Sequence, residues 1–339
     1  MRSGSSAAVA LAVAGCAGPP AALDPAGPPA SRIADLWWLF LAVCVIVMLA
    51  TTVALVLAVL AGRRRARREP VLGPPGADPR RDRRADLAVA GATGLTVVTL
   101  LALLTASVLT GRALSNPGLL DRPIVIELVA HQWWWQVTYL DREPGRRVVT
   151  ANEIHLPVGQ PVKITLASQD VIHSFWVPQL HGKRDLVPGH HGEIWIQAGR
   201  PGVYDGQCAE FCGLQHARMR LKVFAEEPQR FAAWLEGQRQ PAPEPATTAQ
   251  RQGRDVFVGG SCALCHTVQG TDARGTTGPD LTHIAGRTTL AAGTLPNTPG
   301  HLATWITDPQ AVKPGTRMPA SRIDAESLPA LLAWLGSLR

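Results

Sequence analysis

From Leu36 to Gly62, and again from Leu87 to Gly111, the chain carries no charged residue. Each run exceeds the ~20 residues that a helix needs to cross the hydrocarbon core of a bilayer. Neither keeps the polar face that a soluble helix of that length shows to water. A transmembrane hairpin of two helices over residues 36–111 follows. The connecting segment Arg63–Asp86 holds nine arginines against Glu69, Asp78, Asp82 and Asp86. The positive-inside rule places this loop, 63–86, in the cytoplasm and everything after Arg112 on the outer face. Most of the formal net charge of +7 sits in that loop. No basic stripe remains elsewhere to track a phosphate backbone, so the partner is a membrane and not a nucleic acid.

The N-terminus reads as an export signal over residues 1–16. Arg2 precedes a short apolar stretch, Ala7–Ala14, too short to span. It runs into Val13-Ala14-Gly15-Cys16, which resembles a bacterial lipobox and makes Cys16 a candidate for lipidation. An ordinary signal with an incidental cysteine is the alternative. The expected location is therefore the bacterial cytoplasmic membrane, with soluble domains on its outer, periplasmic or extracytoplasmic, face.

Asn116-Pro117-Gly118 breaks the second apolar run, and short strand-like runs follow. They are 123–129, 153–157, 161–166, 193–197 and 219–224. Gly, Pro and Asp turns separate them, as in an antiparallel sandwich or barrel. Residues 228–237 read as a helix with Phe231, Trp234 and Leu235 on one face. Residues 116–237 thus form one domain. Residues 238–248, with Pro241-Ala242-Pro243-Glu244-Pro245, read as an extended linker. Residues 249–339 have the size of a small all-α domain. Its first and last helices are expected to cross closely at Gly253, with Phe257 on one and Leu331, Trp334 and Leu335 on the other.

Four of the six cysteines fall in two patterns. The first is Cys208-x3-Cys212-x3-His216-x2-Met219. Two thiolates, an imidazole and a thioether make a soft ligand set suited to copper. A thiolate pair can bridge two metal ions, and His173, in His173-Ser174-Phe175, supplies the second imidazole for a balanced pair. A disulfide between Cys208 and Cys212 is the competing reading in an oxidising compartment. It leaves the histidine and methionine without a role.

The second pattern is Cys262-Ala263-Leu264-Cys265-His266, the attachment signature of a covalent c-type haem. His266 is then the proximal iron ligand and Met318, in Arg317-Met318-Pro319, the candidate distal one. A zinc site is the alternative, and it would recruit His283 and His301. A copper pair and a haem in one exported chain make an electron relay.

From about Leu36 to Gly237 the chain resembles subunit II of cytochrome c oxidase. The order of features carries the resemblance: two spans, then His131-Gln132-Trp133-Trp134-Trp135, then His173-Ser174-Phe175, then the Cys-x3-Cys-x3-His-x2-Met run. Gly278-Pro279-Asp280-Leu281 resembles the haem-supporting loop of class I cytochromes c. The resemblance implies a membrane-anchored chain with a cupredoxin-like Greek-key domain and a fused class I cytochrome c domain. It implies a binuclear CuA centre on His173, Cys208, Cys212, His216, Met219 and the Glu210 carbonyl. It also implies Mg bound by the Glu210 carboxylate at the boundary with subunit I, and electrons entering at Trp133. A membrane-interface aromatic belt is the other reading of Trp133–Trp135. Lys183 and Asp185 match a segment near subunit I. The arginine usual after its Pro-Gly is replaced by His190-His191, and Asp86 stands where many members have a glutamate for proton uptake.

The expected function is electron intake for a proton-pumping terminal oxidase. A cytochrome c or a cytochrome bc complex is the donor, and subunit I, with subunit III, the partner. The alternatives are the CuA subunit of a nitric-oxide reductase and a copper chaperone for oxidase assembly.

Overall fold

The computed structural model describes residues 20–68, 79–115 and 123–339. The export signal and Cys16 lie outside the described residues, as do 69–78 and 116–122. The described chain divides into two compact units, residues 32–116 and the remainder.

The first unit holds two long helices, α1 (Pro28–Arg68) and α2 (Pro79–Ser115). Both meet the length and composition needed to cross a membrane. The hydroxyls of Thr51, Thr52, Thr96 and Thr105 each donate to a carbonyl four residues back. This hides their polarity inside the helix, as hydrocarbon requires. The loop expected over 63–86 is helical at both ends. Arginine and alanine are good helix formers, so charge alone does not stop α1 at Gly62. Pro79 sits at the start of α2, where a missing N–H costs nothing.

The second unit begins with a β-sandwich of two five-stranded sheets. Its strands are β1 (Ile124–His131), β2 (Trp134–Tyr139), β3 (Val148–Ala151), β4 (Glu153–Pro157), β5 (Val162–Ser168), β6 (His173–Trp176), β7 (Arg184–Leu186), β8 (Gly192–Ile196), β9 (Gly202–Cys208) and β10 (Arg220–Glu226). One sheet has the order β3-β2-β1-β5-β8 and the other β4-β10-β9-β6-β7. Two neighbouring pairs, β1–β5 and β4–β10, run parallel. Purely antiparallel pairing therefore does not hold. Strand alternation fills the core from both sheets: Ile126, Leu128, Ile164 and Leu166 from one, Ile154, Leu156, Phe175 and Val223 from the other.

Helix α3 (Pro228–Gln238) closes the sandwich with Phe231 buried and Trp234 and Leu235 packed against its core. The chain then runs without regular structure to Thr247, and the Ala242 amide donates to Gln269 O at 2.9 Å. The linker is thus laid against the domain that follows. Its helix α4 (Thr248–Gly259) opens with a capping box between Thr247 and Gln250. Short helices α5 (Pro299–Thr307) and α6 (Pro309–Val312) precede α7 (Ser327–Leu335). A β-carbon at Gly253 would lie 2.0 Å from the Ala330 carbonyl oxygen, so only glycine lets α4 and α7 approach this closely. Phe257 and Trp334 pack beside the crossing with ring centroids 5.1 Å apart.

Candidate copper and haem sites

Strand β9 ends at Cys208, and the loop to β10 returns so that the Cys208 amide donates to Met219 O at 2.9 Å. This brings six expected ligands together. Cys208 Sγ lies 3.7 Å from Cys212 Sγ, 3.9 Å from His173 Nδ1 and 3.2 Å from the Glu210 carbonyl oxygen. Cys212 Sγ lies 3.7 Å from His216 Nδ1 and 3.9 Å from Met219 Sδ. Both thiols are free, and their separation is far beyond the ~2.05 Å of a disulfide. His173 is the first residue of β6.

The donor set fits soft metal ions. His173 Nε2 is 2.9 Å from Asp170 Oδ1. The carboxylate only accepts, so Nε2 carries the proton and Nδ1 turns its lone pair toward Cys208, as in metal-binding histidines oriented by a carboxylate. The hydrogen bond from Cys212 favours the Cys208 thiolate, holding its pKa well below the ordinary thiol range, while the same pairing raises that of Cys212. The thiolate is the form that binds metal.

The Glu210 carboxylate is exposed and pairs with Lys183 Nζ at 3.0 Å, which also reaches Asp185 at 3.2 Å. Trp133 is buried, and its indole N–H donates to the Cys212 carbonyl at 2.9 Å. Gly213, at φ +110°, lets the loop pass beneath it; a β-carbon there would lie 3.2 Å from the indole. This burial rules out the membrane-belt reading for Trp133.

On its other side Trp133 lines a cavity of about 340 Å³, together with Cys262, Cys265, His266 and Met318. His266 Nδ1 is 2.7 Å from the Pro279 carbonyl oxygen, so Nδ1 donates and Nε2 keeps its lone pair. Burial lowers the His266 pKa, which keeps the ring neutral. Arg287 also lines the cavity and its buried Nε has no partner among the described residues. A cofactor bearing carboxylates satisfies that donor, so the residues present fit a haem. The zinc alternative does not assemble. His283 bonds the carbonyls of Arg339 and Gln240, and His301 bonds Thr298.

Asp170, Lys313 and Arg287 were not singled out from sequence. Asp170 precedes His173 by three residues, a spacing at which a carboxylate can orient an imidazole. Lys313 is the only lysine in residues 249–339.

The chain is similar in sequence to known proteins. Residues 143–225 match the family of the cytochrome c oxidase subunit II periplasmic domain, and residues 250–339 match cytochrome c. The chain is 36% identical over 343 residues to cytochrome c oxidase subunit 2 of Alkalihalophilus pseudofirmus, covering 97% of this chain and 94% of that one. It is 31% identical over 268 residues to the subunit 2 of Bacillus sp. strain PS3, covering 73% of each. Over 111 residues it is 46% identical to the alternative cytochrome c oxidase subunit 2 of Bradyrhizobium diazoefficiens, covering 33% of this chain and 38% of that one. The chain belongs to the cytochrome c oxidase subunit II family, in the form that carries a cytochrome c domain after its β-domain.

Proposed function

We propose that the chain receives electrons for a proton-pumping terminal oxidase, from a cytochrome c donor through covalent haem c and binuclear CuA to subunit I, where oxygen is reduced to water. One observation carries this reading. Trp133 bonds the carbonyl of Cys212 and lines the cavity that holds Cys262, Cys265 and His266. A single side chain thereby touches both candidate redox sites.

In this reading Cys262 and Cys265 would hold the haem covalently, and His266 and Met318 would supply its iron ligands. His173, Cys208, Cys212, His216, Met219 and the Glu210 carbonyl hold the copper pair. These cofactors supply one-electron redox chemistry that no side chain here provides. Asp170 keeps the His173 ring in its ligating tautomer, and Pro279 does the same for His266. The Glu210 carboxylate is the candidate Mg ligand at the contact with subunit I. Trp133 lies under the cytochrome domain, so an external donor meets the haem side first.

The test is the purified complex. It should consume oxygen, hold two coppers in a mixed-valence pair by electron paramagnetic resonance, and show the haem reduced before the copper after flash photolysis of the natural donor. Copper reduced first overturns the order. Nitric oxide consumption without oxygen consumption would point to the nitric-oxide reductase instead.

A further inference from the structure

The two domains of the second unit bury charge in each other. Lys313 lies between α6 and Met318 and is 2% exposed. Its Nζ donates to the Trp133 carbonyl at 2.7 Å and to the Ala291 carbonyl at 3.2 Å. Among the described residues no carboxylate pairs with it. Glu153, in β4, is 4% exposed and reaches the opposite way. Its Oε1 accepts from the Thr288 amide at 2.7 Å and from the Thr288 hydroxyl at 2.6 Å.

The residues beside Lys313 are bonded as well. Gln215 Nε2 donates to the Pro314 carbonyl at 2.5 Å, and the Arg218 guanidinium donates to the Val312 carbonyl. Gln215 and Arg218 flank His216 and Met219 in the loop of candidate copper ligands. Val312 and Pro314 are therefore bonded to the copper-site loop, and Lys313 between them to Trp133, which itself bonds Cys212 of that loop.

Apolar contacts tolerate sliding, because one buried methyl serves much like another. Buried charges do not. A shift of the domains that keeps the joint closed leaves Lys313 or Glu153 buried without its partner. Each orphaned group costs about 1–3 kcal/mol, more when charged. Full separation gives both side chains back to water. What the two residues supply is thus a single register more than affinity, the role best attested for buried polar groups. Burial pushes the Lys313 pKa down to about 7, and the amine can donate to the two carbonyls whether charged or neutral, so the register requirement holds in both states.

We propose that Lys313, with Glu153 as its counterpart, is the positioning residue that fixes the cytochrome domain on the copper-site loop in one register, so that electrons cross within a permanently docked pair. This rests on the relay proposed above. The step moves one electron: the haem side is oxidised by one as the copper side is reduced by one.

The experiment uses the full chain in its oxidase complex, with Lys313→Met, which keeps the side-chain stem and removes the donors. Two quantities are read: hydrogen exchange at residues 132–135 and 289–293, and the rate of haem-to-copper transfer after photoreduction. In the parent both should be unchanged from low to high salt, because buried contacts are poorly screened. In Lys313→Met, exchange should quicken and transfer should slow about tenfold and become salt-dependent, since misplacement by about 1 Å can cost a hundredfold. The copper resonance and haem spectrum should stay as in the parent. Glu153→Gln should shift both readouts in the same direction by less, and it serves if Lys313→Met does not accumulate. Parent-like exchange and transfer in both variants would overturn the proposal, as would a parent rate that already falls with salt. Faster exchange in Lys313→Met, with no haem-to-copper transfer even in the parent, would uphold the register and overturn the relay.

Discussion

Asp170 Oδ1 stands 2.9 Å from His173 Nε2, and the opposite nitrogen of that ring faces the Cys208 thiol. The Asp170 carboxylate also accepts the Gln132 amide at 2.7 Å and lies 3.6 Å from Arg317. One carboxylate therefore orients an expected copper ligand and meets the residue next to Met318. Asp170→Ala should weaken copper binding about tenfold to a hundredfold, the usual cost of losing an outer partner of a ligating histidine. Competition with a chelator measures it, and unchanged affinity would show that the ring is oriented by other contacts.

Met318→Ala should lower the haem potential and open the iron to carbon monoxide. A methionine opposite histidine raises the potential of a c-type haem. A redox titration and a carbon monoxide difference spectrum check both effects. Met318 is the only methionine in residues 249–339, so no second thioether there can replace it.

Replacing both Cys262 and Cys265 by alanine should abolish covalent haem while copper loads as before. The candidate copper ligands all lie in the β-domain, before α3. Haem staining of the denatured chain and copper analysis of the folded one separate the two sites. Covalent haem surviving the double substitution contradicts the attachment assigned here.

Gly253→Ala should destabilise the cytochrome domain by about 1–3 kcal/mol, the common cost of overpacking. The added methyl would meet the backbone of Ala330, which cannot swing aside as a side chain can. Thermal melting followed through the haem band reports it. A melting point equal to the parent's would mean that the two helices part at no cost.

His155 lies between Phe224 and Trp234, with ring centroids 4.6 and 3.9 Å away. Burial lowers its pKa and outweighs the Glu226 carboxylate at 3.1 Å. Below about pH 6.5 the unfolded chain takes up a proton that the folded ring resists. Stability should therefore fall as pH drops from about 6.5 toward the lowered folded value, and be independent of this group above it. His155→Phe should flatten that slope. Melting curves across the range decide, and an identical slope in the variant would falsify the assignment.

The ligand residues were legible because soft donors at short spacing have few other uses. The close crossing at Gly253 was legible from an amphipathic pair of helices with a glycine one turn before Phe257. Half of the ten sandwich strands were not. Strand β2 carries Trp134 and Trp135 side by side, so apolar residues do not alternate cleanly with polar ones. Strand β9 contains Gly202, Asp205 and Gly206, a composition that reads as a turn. Lys313 and Glu153 escaped notice because a lone charge reads as surface until its partner domain is in place. No local pattern encodes contacts between residues 135 and 180 positions apart.

The cavity that holds Cys262, Cys265 and His266 takes part of its wall, His131, Trp133 and Trp134, from the β-domain. Its maturation thus depends on two folding events in one chain. Neither domain alone encloses that space: half of its aromatic lining is missing until the β-domain has folded and the two have met.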